Sequence, residues 1–156
     1  MSLDLSDIQD VKSKGEIIYR AIGKINCPYL KRDVSFNSQG LTHLKFKDRR
    51  RARSKQDQYM RFKILGLAPK IISKSNTVQG VDTVNRFEKV RINSRTDTLL
   101  KTVNYYEFVA VINQIRAKVI VKQIENGEPF FWSIIPNWKI SDTKRILYSS
   151  KDLELD

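Results

Sequence analysis

A chain of 156 residues with a net charge of +12 and a single cysteine excludes several classes at once. Its length and its 40% hydrophobic content suffice for one domain with a real core. Cys27 alone excludes an internal disulfide framework and fits a reducing compartment. No apolar run approaches the roughly 20 residues that span a bilayer, and no signal-peptide pattern opens the chain, so cytoplasmic residence without a membrane partner is expected.

The opening SDIQDVKSKGEIIYRAIG carries a Ser6-x-x-Gln9 capping pattern. Ile8, Val11, Ile17, Ile18 and Ala21 follow at helical spacing, predicting a first helix that Gly15 weakens in the middle. KINCPYLKRDVSFN mixes Pro28 with β-branched and aromatic residues and predicts irregular or short extended chain. From Ser38, SQGLTHLKFKDRRR reads as a second helix, and SKQDQYMRFKILGL as a third with Ser54 and Asp57 at its cap. Gly66 and Pro69 in GLAPKIISKSN are expected to end the helical half.

After about Asn76 the period changes from helical to alternating. VNRFEKVRIN, LLKTVNYYEFVAVI, IRAKVIVKQIE and PFFWSIIPNW predict four strands of an antiparallel meander. The closing SDTKRILYSSKDLELD is polar and ends acidic, which predicts a short helix with a tail or disordered chain. The expected architecture is one α+β domain: a helical half over 1–75, a sheet over 76–140 and a polar tail over 141–156. Its N-terminal helices pack on one face of a four-stranded antiparallel meander.

Charge is unevenly spread. Residues 41–74 hold 11 Lys/Arg and 2 Asp/Glu, so +9 of the +12 lies there. Lys45, Lys47, Arg49, Arg50, Arg51, Arg53 and Lys55 form its centre, an electrostatic footprint for a polyanion. The plainer alternative is a solvated helical face. A membrane surface fits less well, because no Trp, Phe or Leu face is interleaved.

Turns set the strand register. With Asn113-Gln114 as a two-residue turn, Ile112 meets Ile115, Ala110 Ala117, Phe108 Val119, and Tyr106 Val121, an apolar set that makes the core face. The other face pairs Val111 with Arg116, Val109 with Lys118, Glu107 with Ile120, and Tyr105 with Lys122. An Asn126-Gly127 turn would add Trp132 and Ile134 to the core face. Phe131, Ser133 and Ile135 then join the opposite one. That second face gathers a carboxylate, a hydroxyl, cations and aromatics. Its ordinary alternative is a solvated sheet face.

The residues LTHL at 41–44, AKVIVKQIENGEPFFWSIIP in the third and fourth strands, and Ser133 within FFWSIIP resemble the phage-associated barnase–EndoU–colicin–RelE-like nucleases. The resemblance covers roughly residues 34 to 139. It implies a metal-independent ribonuclease-like fold with helices on one sheet face and the active site on the other. A strand carboxylate as base and strand cations on the phosphate would fall to Glu107, Lys118 and Lys122. The recurring helical histidine and last-strand hydroxyl would be His43 and Ser133. No histidine lies near the end of the sheet, a departure that leaves the general acid unassigned.

Metal-free RNA cleavage needs a base, an acid and a charge clamp around the phosphate. His43, the only histidine, has a reference pKa near ~6.5 and suits either proton role; its alternative is an exposed helical histidine. Tyr105 and Phe131 suit base stacking, or else plain cross-strand packing. One His and one Cys cannot build a zinc site, and no metal or cofactor is expected. The expected function is a toxin-like, metal-independent endoribonuclease of phage or mobile-element origin, with RNA as partner and an antitoxin or phage carrier protein beside it. A non-catalytic nucleic-acid-binding module and a phage accessory protein meeting an acidic partner are the rival readings.

Overall fold

The computed structural model describes residues 5–136 and 152–156. Its elements run α1 (Leu5–Ile22), β1 (Lys24–Cys27), β2 (Arg32–Ser35), α2 (Ser38–Lys45), α3 (Lys55–Ile64), α4 (Leu67–Lys74), β3 (Gly80–Ile92), β4 (Arg95–Ile112), β5 (Ile115–Ile124) and β6 (Phe130–Pro136). The strands form one sheet in the order β1-β2-β6-β5-β4-β3. The α+β class is as expected, but the sheet has six strands instead of four and is mixed. The additional pair, β1 and β2, comes from the segment expected to be irregular, and β2 meets β6 in parallel at Ser35 and Phe130.

Local chemistry explains the helices. Asn37 caps α2 by accepting from the Gly40 amide, and Ser54 caps α3 by accepting from the Asp57 amide. The second helix stops at Lys45, earlier than expected, where Phe46 bridges to Ala52 and closes a loop over the basic run. Pro69 does not break the chain. It sits in the first turn of α4, where its missing N–H would have no intrahelical partner. Gly15 has a packing role: a Cβ there would come within 2.6 Å of Phe62 Cδ1, so its absence lets α1 lie close against α3.

The helices cover one sheet face. Leu44, Phe62, Leu65, Ala68, Ile71 and Ile72 pack there against Phe108, Val119, Val121, Phe131 and Ile134. Registers of β4 and β5 match expectation at every position, from Tyr105 opposite Lys122 to Ile112 opposite Ile115. Asn113 and Gln114 both take positive φ, as a two-residue hairpin turn of this hand requires.

The β5–β6 turn differs. Residues 125–129 make a longer connection, with positive φ at Glu125 and not at the Asn126-Gly127 pair. Register is restored by a bulge: Ile120 still faces Ser133, but Val121 faces Phe131 and Lys122 faces Phe130, leaving Trp132 as the extra residue. Two expectations are thereby corrected. Phe131 lies in the helix-side core, stacked on Phe36 at 4.9 Å, and not on the face expected to bind nucleic acid. Trp132 is buried as expected but on the opposite face, beside Ser133. Among the described residues, no helix is long and apolar enough to cross a membrane.

Candidate nucleic-acid site on the open sheet face

Strands β3 to β6 and two helices build the site. On β4 and β5, Glu107, Tyr105, Lys118 and Lys122 share the face turned away from the helical core. From β6, Trp132 and Ser133 reach the same side because of the bulge. The helices α2 and α3 pack along β6 and reach this face as well as the core. Thus Leu44 points into the core while its neighbour His43 stacks on the Trp132 ring at 3.9 Å. Arg61 behaves likewise beside core residue Phe62, donating from Nη1 to Ser133 Oγ at 2.5 Å.

Arg53, Arg61, Lys118 and Lys122 are all buried. Taking cations out of water costs several kcal/mol each unless each is paired, and pairs are present. Arg61 Nε bonds Asp57 Oδ1 at 2.7 Å, and Arg53 Nη1 lies 3.5 Å from Asp57 Oδ2. Lys118 Nζ lies 3.1 Å from Glu107 Oε1, and Lys122 Nζ lies 3.0 Å from Glu88 Oε1 and 4.2 Å from the Trp132 ring centre. Burial holds the Arg53 pKa down to about 10, with Arg61 adding repulsion, which still leaves it charged at neutral pH.

His43 departs furthest from expectation. Burial, then the charges of Arg53, Arg61 and Lys122, push its pKa down to about 2. It is a neutral imidazole at physiological pH and not a group poised near ~6.5. Arg53 Nη2 lies 2.9 Å from His43 Nε2. A guanidinium can only donate, so Nε2 is the acceptor and the ring proton sits on Nδ1. Arg53 Nε also donates to the His43 carbonyl at 2.9 Å, clamping the arginine to both ends of the residue.

Over this face lies the acidic end of the sequence. Residues 152–156 form a turn whose Leu153 enters the apolar cluster of Val103, Tyr105, Ile120 and Trp132. Five cations meet the segment. Arg86 bonds Asp152 at 2.9 Å, and Lys122 lies 3.0 Å from Glu154 Oε2. Lys118 lies 3.6 Å from Asp156 Oδ2. Arg53 donates to the main-chain oxygens of Leu155 and Asp156 at 3.1 Å, and Arg61 donates to that of Asp156 at 2.5 Å. Trp132 Nε1 donates to the Glu154 carbonyl at 3.0 Å, and Ser133 Oγ to the Asp156 oxygen at 2.8 Å. Tyr105 donates to Glu154, and its hydroxyl pKa is raised by burial and by that carboxylate.

The basic run divides in two. Arg53 turns inward. Lys47, Arg49, Arg50 and Arg51 stay exposed on the loop after α2, with Asp48 accepting from the Arg50 and Arg51 amides. Lys45 pairs with Glu16 on α1, and Lys55 is exposed at the start of α3. Lys47 and Arg49 line a cleft of about 580 Å³ that also opens onto His43, Lys122 and Trp132. The exposed cations therefore extend the rim of the sheet-face site. Arg116 sits half-buried towards the far end of β5, opposite Val111.

Sequence reasoning placed His43, Glu107, Lys118, Lys122 and Ser133 as candidates, and all five belong to this face or its edge. It missed Arg61, Arg86, Glu88, Trp132 and the closing acidic turn. One signal for Arg61 was available: Arg53, Asp57 and Arg61 recur every four residues, a helical spacing that puts them on one side. No family model, no curated protein and no solved structure matches this chain.

Proposed function

We propose that the open sheet face binds RNA and cleaves it without a metal ion. The observation that carries this reading is the convergence of Arg53, Arg61, Arg86, Lys118 and Lys122, each of which already holds a carboxylate or a main-chain oxygen of residues 152–156. A face that gathers anionic and carbonyl oxygens so densely is suited to phosphate oxygens. The rim cations Lys47 and Arg49 would continue it along a polynucleotide backbone.

In the proposed reaction the ribose 2′-oxygen forms a bond to phosphorus and the bond to the 5′-oxygen breaks. Water protonates the leaving 5′-oxygen, so the products are a cyclic phosphate and a 5′-hydroxyl. Glu107, paired with Lys118, is the carboxylate that would take the 2′-proton. Lys118, Lys122, Arg53 and Arg61 stabilise the charge developing on the phosphate oxygens. Ser133, held by Arg61, orients one of them. His43 acts as a positioning residue, a neutral acceptor that fixes Arg53. Trp132 and the cleft beside it offer a surface for an unstacked base.

The test is product formation from end-labelled RNA in EDTA across pH 5 to 9. Glu107→Gln should slow cleavage by roughly 10²–10⁴, the usual contribution of a general acid or base. Lys122→Ala should lower the rate more than it lowers RNA affinity. RNA that binds but is never cut would replace the enzyme with a binding module, the reading favoured by the low pKa of His43. RNA that binds neither the wild type nor a variant lacking the three carboxylates of residues 152–156 would end both.

A further inference from the structure

We propose that residues 152–156 are a self-inhibitory ligand of the cationic face: they occupy the subsites that RNA phosphates would take, and must leave before RNA enters. The inference rests on the nucleic-acid reading above and adds the regulation of that site.

Charge supports it first. Among the described residues outside the segment, the carboxylates beside Arg53, Arg61, Arg86, Lys118 and Lys122 are Asp57, Glu88 and Glu107, an excess of two positive charges. Asp152, Glu154 and Asp156 bring three carboxylates and reverse the sign. A face so covered would repel the polyanion that its bare form attracts.

The manner of docking supports it second. The segment holds its own turn, with the Leu155 and Asp156 amides donating to the Asp152 carbonyl at 3.1 and 3.2 Å, so it meets the face as a small preformed unit. Its one well-buried apolar anchor is Leu153. The remaining contacts are ion pairs and hydrogen bonds, most of which a phosphate backbone can replace one for one. The oxygens of a competing polyanion can take over such charge-assisted contacts, whereas nothing in solution replaces an interdigitated apolar core.

The segment also reaches the groups that matter most. Ser133 Oγ and Arg61 Nη1 both meet the Asp156 oxygen, and Lys122 is shared between Glu88 and Glu154. Glu154 and Leu155 line the cleft beside His43 and Trp132. A single turn of chain thus covers the hydroxyl, the cations and the stacking surface together.

The experiment measures binding of fluorescein-labelled single-stranded RNA by anisotropy at 50 mM salt. The triple variant Asp152→Asn/Glu154→Gln/Asp156→Asn should bind at least ten-fold tighter than the wild type. The charge-matched control Asp10→Asn/Asp33→Asn/Glu128→Gln, altered only at exposed positions, should gain no more than two-fold. A synthetic peptide of residues 150–156 should compete with RNA for the triple variant. Equal RNA affinity of wild type and triple variant overturns the inference and leaves the RNA reading standing. Matching gains in both triple variants reduce the effect to net charge and overturn it too. RNA that binds none of the proteins overturns the RNA reading and the inference together. If the triple variant fails to fold by circular dichroism, Glu154→Gln alone, which removes the carboxylate between Lys122 and Tyr105 and leaves Lys122 its Glu88 partner, should gain about three-fold, and no gain overturns the inference.

Discussion

The two faces of the sheet are covered by different physics. On one, helices bury interlocking apolar side chains, with Phe131 between Tyr19 and Phe36 and fully buried. On the other, a five-residue turn is held by carboxylates against buried cations, with Leu153 as its main apolar contact. The first cover draws its strength from the removal of apolar area from water, and has no substitute in solution. The second draws on charges that water, salt ions and other polyanions also satisfy. An apolar cover and a largely ionic one thus share a single sheet.

That contrast breaks most sharply under truncation of the anchors. Phe131→Ala should lose about 3–5 kcal/mol of stability in urea denaturation, the usual cost of emptying a packed aromatic site. Leu153→Ala should lose less than half as much, because its partners face a movable turn. Comparable losses would mean that the acidic turn belongs to the permanent core.

Acid probes the second face through His43. Its folded pKa of about 2 lies below the ordinary ~6.5, so protons favour the unfolded chain. The stability tied to the neutral ring is complete above pH 6.5 and falls as pH drops from there towards 2. The slope approaches about 1.4 kcal/mol per pH unit once the unfolded histidine is protonated. Denaturation midpoints of wild type and His43→Gln, compared between pH 7 and 4.5, should diverge in that window. Parallel curves would show that the imidazole is more hydrated than its packing against Trp132 implies.

Salt gives the smallest and most selective effect. Raising sodium chloride from 0.05 to 0.5 M should speed hydrogen exchange at the Leu155 and Asp156 amides several-fold. The β4–β5 amides behind the helical core should not change. Uniform protection across both regions would erase the distinction between the covers.

How much of this was legible depended on whether neighbours in space were neighbours in sequence. The β4–β5 register followed from Asn113-Gln114, because a two-residue turn leaves one pairing that keeps Phe108, Val119 and Val121 on one side. The Ser54 cap of α3 was equally local. Beyond such spans the signal faded. β1 and β2 are four residues each, too short for a period, and their place in the sheet rests on one parallel pairing with β6. Arg61 reaches Ser133 across 72 positions, a distance at which no spacing rule operates. The closing DLELD reads as a solvated acidic tail until the basic face beneath it is known. The Asn126-Gly127 pair is a strong turn signal that the longer β5–β6 loop did not use, and this alone misassigned Phe131 and Trp132.

The bulge at Trp132 has a consequence for how such a strand can change. From Ser133 to Pro136, β6 pairs with β5 in the register that a two-residue turn would have imposed, although the connecting loop is longer. One supernumerary residue absorbs the mismatch between the loop and the hydroxyl-bearing end of the strand. Loop length and site geometry are therefore separate settings. An insertion or deletion near Gly127 can be taken up at position 132 without moving Ser133 off Ile120, so the loop is free to drift in length while the Ser133 end of the strand holds still.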